Sequence, residues 1–422
     1  MIIFRRSRTA IGIDVGTRNI KAAQLCRSDG QYSIAALALL PRAPRSCLRQ
    51  EDAGAEQIDP QEIISLRGSL RRQGFCGNDV VLAAPDEKLL RGILELPGRV
   101  SGTAIHQMAR MELSRLHHVA PDSFELVHWE LASADKSAGR LADKSKPTTQ
   151  TLALGCPHDV ANAYLDAFEE AGLNVTALDV RSAAAARACL PLIAPAASSP
   201  LLSCESKKGG EGVTCLLDLQ WNSTKLLLVQ GHTLIYEKFI GNKCIATLTV
   251  RLSEKFGLPE RFAYQIVRAV GLPPRLPTQG QAAGIAFDSK GPATASAFAG
   301  TSSELDQKSV EAIREMIKSH FDTVAEELKS PIAYASRQYP DKGMERILLI
   351  GDGAGILGIS QYLADILGIE VMLTAPSDLV KQRANRKSQI AKGDMLQATS
   401  DKRFAGNPDL TVAVGLAKFN GG

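Results

Sequence analysis

Asp14-Val15-Gly16-Thr17-Arg18-Asn19-Ile20-Lys21 follows the apolar run Ile11-Gly12-Ile13 and brings a carboxylate, a glycine, a hydroxyl and a lysine close together in the chain. That set suits a Mg-nucleotide phosphate site. Backbone N–H groups around the glycine can approach an anion. Residues 22–25 return as an apolar stretch, which predicts a β-hairpin with the nest at its tip. An ordinary hairpin turn fits the same residues equally well. Two further turns have related chemistry: Asp218 to Thr224, and Gly351-Asp352-Gly353-Ala354-Gly355. The second of these joins a strand to a helix, whose amino terminus favours anions or the polar edge of a nucleoside.

The elements that must position these turns fall into an α/β pattern. Strands are predicted around 11–13 and 22–25, with a third following, then a helix over 60–72 from Ile63, Ile64, Leu66 and Leu70, then a buried strand at 80–84 closed by Pro85. A smaller unit comes next: a strand at 92–96, a helix begun by Ser101 with Ile105, Met108, Leu113 and Leu116, a strand at 124–131, a polar hairpin loop at 133–150 and a strand at 151–156. A helix with Val160, Tyr164, Leu165 and Phe168 on one side stops at Gly172. A strand at 175–180 and a helix at 182–189 complete the first half. Residues 191–212 shift to Pro, Ala, Ser, Lys and Gly and read as a linker. Strands at 213–219, 225–230 and 233–240 then repeat the opening three-strand pattern, with Asp14 and Asp218 at matching turns. A helix at 243–256 ends at Gly257 and Pro259, and 272–303 reads as a partly ordered excursion. Val310, Ile313, Ile317, Phe321, Val324, Leu328 and Ile332 predict a long core-facing helix. A strand at 346–350, a helix at 356–367 and a strand at 370–373 follow.

The chain has 422 residues, 45% hydrophobic and 22% charged, enough to bury large cores in several compact units. Its eight cysteines are scattered, with no C-x-x-C, which points to a reducing cytosol rather than a disulfide frame or a zinc site. No signal-peptide core and no apolar stretch of roughly 20 residues is present, so a membrane role has to run through a partner. A net charge of +4 is too small to indicate nucleic acid. The basic residues Lys381, Arg383, Arg386, Lys387 and Lys392 lack interleaved aromatics and read as a solvated loop.

Taken together, the three turns resemble the phosphate 1, phosphate 2 and adenosine motifs of the actin-like ATPase superfamily. Within it the chain resembles the PilM family of type IV pilus assembly, related to the division protein FtsA. The resemblance is carried by Ile11-Gly-Ile-Asp-Val-Gly-Thr with Ile20-Lys21-Ala22, Ile93-Leu-Glu-Leu-Pro97, Phe168-Glu-Glu-Ala-Gly-Leu173, Leu178-Asp-Val-Arg-Ser182, Ile347-Leu-Leu-Ile-Gly-Asp-Gly-Ala354 and Val412-Ala-Val-Gly-Leu-Ala417. It implies a two-lobed actin-like (ribonuclease H-like) α/β fold: first lobe 1–86 and 158–190, an inserted strand-helix-strand-strand subdomain 87–157, linker 191–212, and second lobe 213–422. It also implies ATP and Mg in the cleft between lobes. The nucleotide falls to Asp14, Gly16, Thr17, Arg18, Asn19, Lys21, Asp218, Gly241, Gly351, Gly353 and Ala354, with Asp14 and Asp218 holding Mg through water. The partner implied is the cytoplasmic tail of a bitopic, PilN-like inner-membrane protein, received beside the inserted subdomain. Self-association stays open.

The chain departs from that pattern at Asp218-Leu219-Gln220-Trp221, where Asp-x-Gly is usual, and at Asp352, where a third glycine is common. Both changes weaken nucleotide binding and weaken hydrolysis more, so the activity expected is at most a slow ATPase. Two alternatives remain: a pseudo-ATPase scaffold that binds no nucleotide, and a small-molecule kinase of the same superfold with Asp179 as its base. Trp221, read as an exposed turn aromatic, suits a partner anchor or a lid over the nucleotide. Met108 and Met111 read as inward packing, and His106, His117, His118 and His128 as surface residues rather than metal ligands.

Overall fold

The computed structural model describes residues 7–28, 30–42, 59–97, 102–131, 148–193, 212–272, 307–339, 344–380 and 404–419. Ser101 and most of the expected loop at 133–150, linker, excursion at 272–303 and basic stretch from Lys381 lie outside them. The chain forms two compact units. Residues 1–211, 228–236 and 412–422 make the first, and 212–227 with 237–411 the second.

The first unit contains β1 (Ser7–Arg8), β2 (Ile11–Val15), β3 (Asn19–Ser28), β4 (Gln31–Pro41), α1 (Pro60–Arg72) and β5 (Asp79–Ala83). It continues through β6 (Leu90–Pro97), α2 (Thr103–His117), β7 (Phe124–Glu130), β8 (Thr148–Pro157), α3 (His158–Glu170), β9 (Asn174–Asp179) and α4 (Arg181–Ile193). Its main sheet has the order β1-β3-β2-β5-β9, with β4 paired to β3. β2, β3 and β4 form an antiparallel meander, whereas β2, β5 and β9 run parallel. The carboxyl ends of those three parallel strands therefore lie side by side, where α/β sheets place their functional loops. α1 starts where Asp59 accepts from the Gln61 N–H at 2.9 Å and Pro60 needs no donor. Ile63, Leu66 and Leu70 of α1 join Tyr164 and Phe168 of α3 against Ile11, Ile13 and Val80.

β6, β8 and β7 form a separate three-stranded sheet. Alternation sends Leu94, Leu96, Phe124, Leu126 and Ala153 to one face, where they pack on Ala109 and Leu113 of α2. Because small side chains, Ala109 and Ser114, face the sheet beside Leu113, the helix phase turns Met108 and Met111 outward. Met111 is 59% exposed, so the inward packing expected of these two residues is corrected. The helix starts at Thr103 after Gly102.

The second unit, with residues 228–236 of β11 and β12 counted in the first, holds β10 (Val213–Leu219), β11 (Thr224–Gln230), β12 (Thr233–Ile240), α5 (Ile245–Phe256), α6 (Glu260–Val270), α7 (Gln307–Gln338), β13 (Met344–Ile350), α8 (Ile359–Leu367) and β14 (Val371–Leu373). Its sheet order is β12-β11-β10-β13-β14. Every residue of β10 is buried, as a central strand with one parallel neighbour demands. α7 buries Ile313, Ile317, Phe321, Val324 and Leu328, the expected stripe. α6 is not anticipated by the sequence pattern, in which Pro259 terminates a helix. Pro259 instead precedes the first turn of a new helix that buries Ala263, Tyr264 and Val267.

Helix α9 (Thr411–Ala417) packs in the first unit through two glycines. A Cβ on Gly12 would overlap Ala413 O and Ala417 N, and one on Gly415 would overlap Ala184 O of α4. The obstacles are backbone atoms, which cannot swing aside. Gly12→Ala or Gly415→Ala is expected to cost ~3 kcal/mol, read as a lowered urea midpoint. Gly406→Ala, where an added methyl meets nothing within 4 Å, should stay within about 0.5 kcal/mol of wild type.

His320 of α7 is buried, and its Nε2 has no hydrogen-bond partner among the described residues. Burial, then the nearby Arg251 and Lys243 cations, hold its pKa down to about 4 from 6.5, against a backbone hydrogen bond to Lys243 that raises it. Between those two values the unfolded chain binds the extra proton. This contribution is therefore complete above pH 6.5 and is lost as pH falls towards 4, on the order of 3 kcal/mol in all. Urea unfolding of wild type and His320→Leu across that range should show the shallower acid loss in the variant; equal slopes would refute the assignment.

Candidate functional site

The predicted hairpin is present. Asp14 and Lys21 are direct cross-strand partners on β2 and β3, so their side chains leave the same face of the sheet. Gly16, Thr17, Arg18 and Asn19 form the tip, closed by the Gly16 N–H donating to Asn19 O at 3.0 Å. Lys21 is buried, and its Nζ would lie 4.0 Å from a Cβ on Gly16. Arg42 braces the tip from beneath. Its Nη1 donates to Gly16 O at 2.9 Å, its backbone N–H donates to Arg18 O at 2.8 Å, and its guanidinium pairs with Glu62 at 2.9 Å. The six hairpin residues named from the sequence therefore sit on one braced turn, with the Gly16 N–H engaged inside it.

Asp14 is fully buried, and its charge is compensated by a residue to which no motif assigns a role. Arg181, the first residue of α4 and two past the end of β9, places Nη1 at 2.6 Å from Asp14 Oδ1. Its Nε lies 3.5 Å from Asp86 Oδ2, just beyond β5. Asp86 in turn holds Arg91, with Nη2 at 2.6 Å from Oδ1 and Nη1 donating to the Asp86 carbonyl at 2.6 Å. The result is an alternating chain, Asp14–Arg181–Asp86–Arg91, across the carboxyl ends of three adjacent parallel strands. Asp14 Oδ2 has no hydrogen-bond partner among the described residues and leaves one acceptor position for a donor. The only signal of Arg181 in the sequence is its place just after a strand.

Asp179, the candidate kinase base, is also committed. Oδ1 accepts from the Val180 N–H at 2.8 Å, and Oδ2 accepts from Arg187 Nη1 at 2.7 Å. Both of its oxygens are thus engaged within the unit.

In the second unit, Asp218 stands near the end of the matching strand, beside Ile350 of β13. Gln220 Nε2 donates to Asp218 Oδ2. The rest of the loop folds down on α5: the Ile245 N–H donates to Gln220 O at 3.4 Å and the Ala246 N–H to Trp221 O at 2.8 Å. Loop carbonyls thus occupy donors at the helix amino terminus that would otherwise face an anion. Trp221 is 4% exposed, its ring edge-on to Tyr264 of α6 at 5.2 Å. That corrects the reading of Trp221 as an exposed anchor or lid: it is a core residue that pins the loop. The Tyr264 hydroxyl donates to Asp352 O at 3.3 Å, tying the same core to the glycine turn.

Gly351, Gly353 and Ala354 are gathered near Asp218. Gly351 has φ +87°, and a Cβ there would sit 2.5 Å from Asp218 Oδ1; one on Gly353 would sit 2.5 Å from Ile245 Cδ1. Close packing of the turn on β10 and α5 accounts for both glycines. Gly241 is different: a methyl added there would meet open space, and the left-handed Asn242 follows it. The His106 and His128 rings stack obliquely at 5.4 Å, His117 Nε2 accepts from the Arg91 N–H at 3.0 Å, and the described residues contain no cluster of three ligand-type side chains. Direct coordination of Mg²⁺ at either carboxylate, each taken within its own unit, would have to displace a partner already in place. Arginine compensates the first, and the Gln220 amide covers an oxygen of the second.

No model of a known protein family matches the chain. Among solved structures, the PilM-PilN type IV pilus biogenesis complex is similar over 97% of this chain and 97% of that chain, with a TM-score of 0.64 and 19% identity. The fold is the actin-like fold of PilM. The ethanolamine utilization protein EutJ from Carboxydothermus hydrogenoformans is similar at TM-score 0.46 and 13% identity, over 98% of this chain and 90% of that one. MreB5 of Spiroplasma citri bound to ADP is similar at 0.42 and 13%, over 87% and 92%. The fold assignment rests on the PilM comparison, which has the only one of these three scores above one half.

With two tryptophans in the chain, Trp129→Phe leaves Trp221 as the sole indole. Its emission should be blue-shifted and resist acrylamide quenching. Red-shifted, freely quenched emission would contradict the pinned loop of this PilM-like fold.

Proposed function

We propose that the chain is a cytoplasmic adaptor of a type IV pilus or related secretion assembly complex, receiving the cytoplasmic tail of a PilN-like bitopic inner-membrane protein beside subdomain 87–157. The likeness to the PilM-PilN complex along nearly the whole of both chains carries this reading. Among the described residues no helix is long and apolar enough to cross a membrane, so attachment in this reading runs through the partner.

The subdomain sheet supplies a surface suited to the task. Ile93 lies opposite Leu152 and Leu152 opposite Trp129, while Arg91, Leu154 and Val127 form the next row. These residues share the face turned away from α2. Leu152 and Leu154 at its centre are buried and Trp129 Nε1 donates to Leu234 O at 3.2 Å, so the chain itself covers the middle of this face; Ile93 and Val127, 49% and 51% exposed at its two sides, are the apolar positions left for a short tail with apolar anchors. In the same reading the hairpin from Asp14 to Lys21 binds the phosphates of an adenine nucleotide. Turnover in this reading is that of a slow ATPase at most.

Fluorescence anisotropy with a labelled tail peptide of a PilN-like partner tests the adaptor role. Saturable binding is expected. Ile93→Glu should weaken it at least about tenfold, or ~1.4 kcal/mol, with thermal unfolding unchanged. Met111→Glu, on the helix side, should bind like wild type. Failure of both the peptide and the full-length partner in detergent to bind would overturn the reading.

A further inference from the structure

The geometry points to Arg181 as a built-in counter-ion that takes the place of a divalent cation at Asp14, making anion binding at the first hairpin independent of metal. This rests on the reading of that hairpin as a phosphate site, and the test separates the two.

Charge balance is the first support. Asp14, Asp86, Arg181 and Arg91 contribute equal numbers of negative and positive groups, joined by contacts of 2.6 Å, 3.5 Å and 2.6 Å. Three of the four are nearly excluded from water. A buried carboxylate without a counter-charge is costly, and Arg181 removes that cost before any ligand arrives. Lys21, on the same sheet face as Asp14, adds a further positive charge, so the hairpin and its ion chain together are net positive. That balance suits a polyphosphate anion as it stands. A divalent cation brought to Asp14 would meet a guanidinium already in contact with the carboxylate, and arginine cannot shed its proton to make way.

Topology is the second. Asp14, Asp86 and Arg181 lie at or just past the ends of β2, β5 and β9, three neighbouring parallel strands in fixed register. Arg181 is also the first residue of α4, so its Cα is set by both the sheet and the helix. The guanidinium is thus positioned by regular structure. A phosphate-bearing ligand at the hairpin tip would be read by Lys21 and the tip backbone, and Asp14 Oδ2 would remain an acceptor for a ligand hydroxyl or water.

Two measurements on the full chain decide the matter. Calorimetric titration of ATP and of ADP in EDTA and in excess magnesium should give dissociation constants that agree within about twofold. A tenfold or greater requirement for magnesium overturns the inference. Separately, and with no nucleotide present, Mn²⁺ binding is followed by electron paramagnetic resonance in wild type, Arg181→Gln and Asp14→Asn. Wild type and Asp14→Asn should leave Mn²⁺ free, while Arg181→Gln should bind it and gain thermal stability from it. Mn²⁺ bound by wild type and released by Asp14→Asn overturns the inference even if ATP does not bind. Absence of nucleotide binding under every condition, with the Mn²⁺ pattern as expected, removes the phosphate reading and leaves the counter-ion assignment standing. Should Arg181→Gln fail to fold, the double variant Asp14→Asn/Arg181→Gln decides: recovery of a folded protein upholds the pair, and no recovery refutes it.

Discussion

A carboxylate with no access to water has to be neutralised by something, and in the first unit that requirement falls on Asp14 near the end of β2. The protein meets it with Arg181, which in turn needs Asp86, which in turn holds Arg91. Each member of this chain stands near the end of a strand or the start of the next element. Removing one partner would leave an uncompensated buried charge, typically at a cost of several kcal/mol. The ion chain therefore locks three parallel strands in their relative positions at the edge where the fold places its functional loops. The hairpin beside it inherits that rigidity, and Arg42 with Glu62 braces it from the other side.

The second unit solves a related problem with neutral groups. Asp218 receives an amide hydrogen from Gln220, and the first turn of α5 receives the carbonyls of Gln220 and Trp221. In a loop of small residues those N–H groups and that carboxylate would face outward. Here a long amide and an indole bring the loop down onto α5 and α6, and the Trp221–Tyr264 edge contact holds it there. Gly351 and Gly353 belong to this packing, since any larger residue would strike Asp218, Leu219 or Ile245. The glycine turn owes its composition to the close approach of β10 and β13 as much as to any ligand.

What is legible in the sequence is whatever periodicity or a chain-local signal encodes. The Asp59-Pro60 start of α1, the fully apolar β10 and the stripe from Ile313 to Leu328 each appear where spacing predicts them. The features that escape share a cause, because each depends on which neighbour a residue meets. Helix α2 contains enough apolar residues to face either way, and Ala109, Leu113 and Ser114 settle its phase by allowing close approach to the sheet. Trp221 looks like a surface residue from its place in a turn, although its burial is decided by α6, a helix hidden behind Pro259. Arg181 falls within a stretch of family-like sequence that gives it no role, since its partner Asp14 lies far away along the chain and is brought near only by the order β2-β5-β9.

That last point bears on how a scaffold can keep an actin-like fold while its ligand chemistry changes. If the charge of Asp14 were balanced only by a bound cation, the unit would be most stable when loaded, because any ligand that binds the folded state alone stabilises it by mass action. Supplying the counter-charge from α4 removes that dependence, so the folded state and the surfaces it carries persist whether or not the hairpin is occupied. The sheet face bearing Ile93 and Val127 belongs to the same unit as the ion chain, and its geometry is then fixed by the chain's own side chains. An adaptor required to hold a partner continuously gains from such an arrangement, whereas an enzyme that must sense a metal-bound substrate does not. In the proposed adaptor role, the Asp14–Arg181 pair therefore keeps the docking face in place without any ligand.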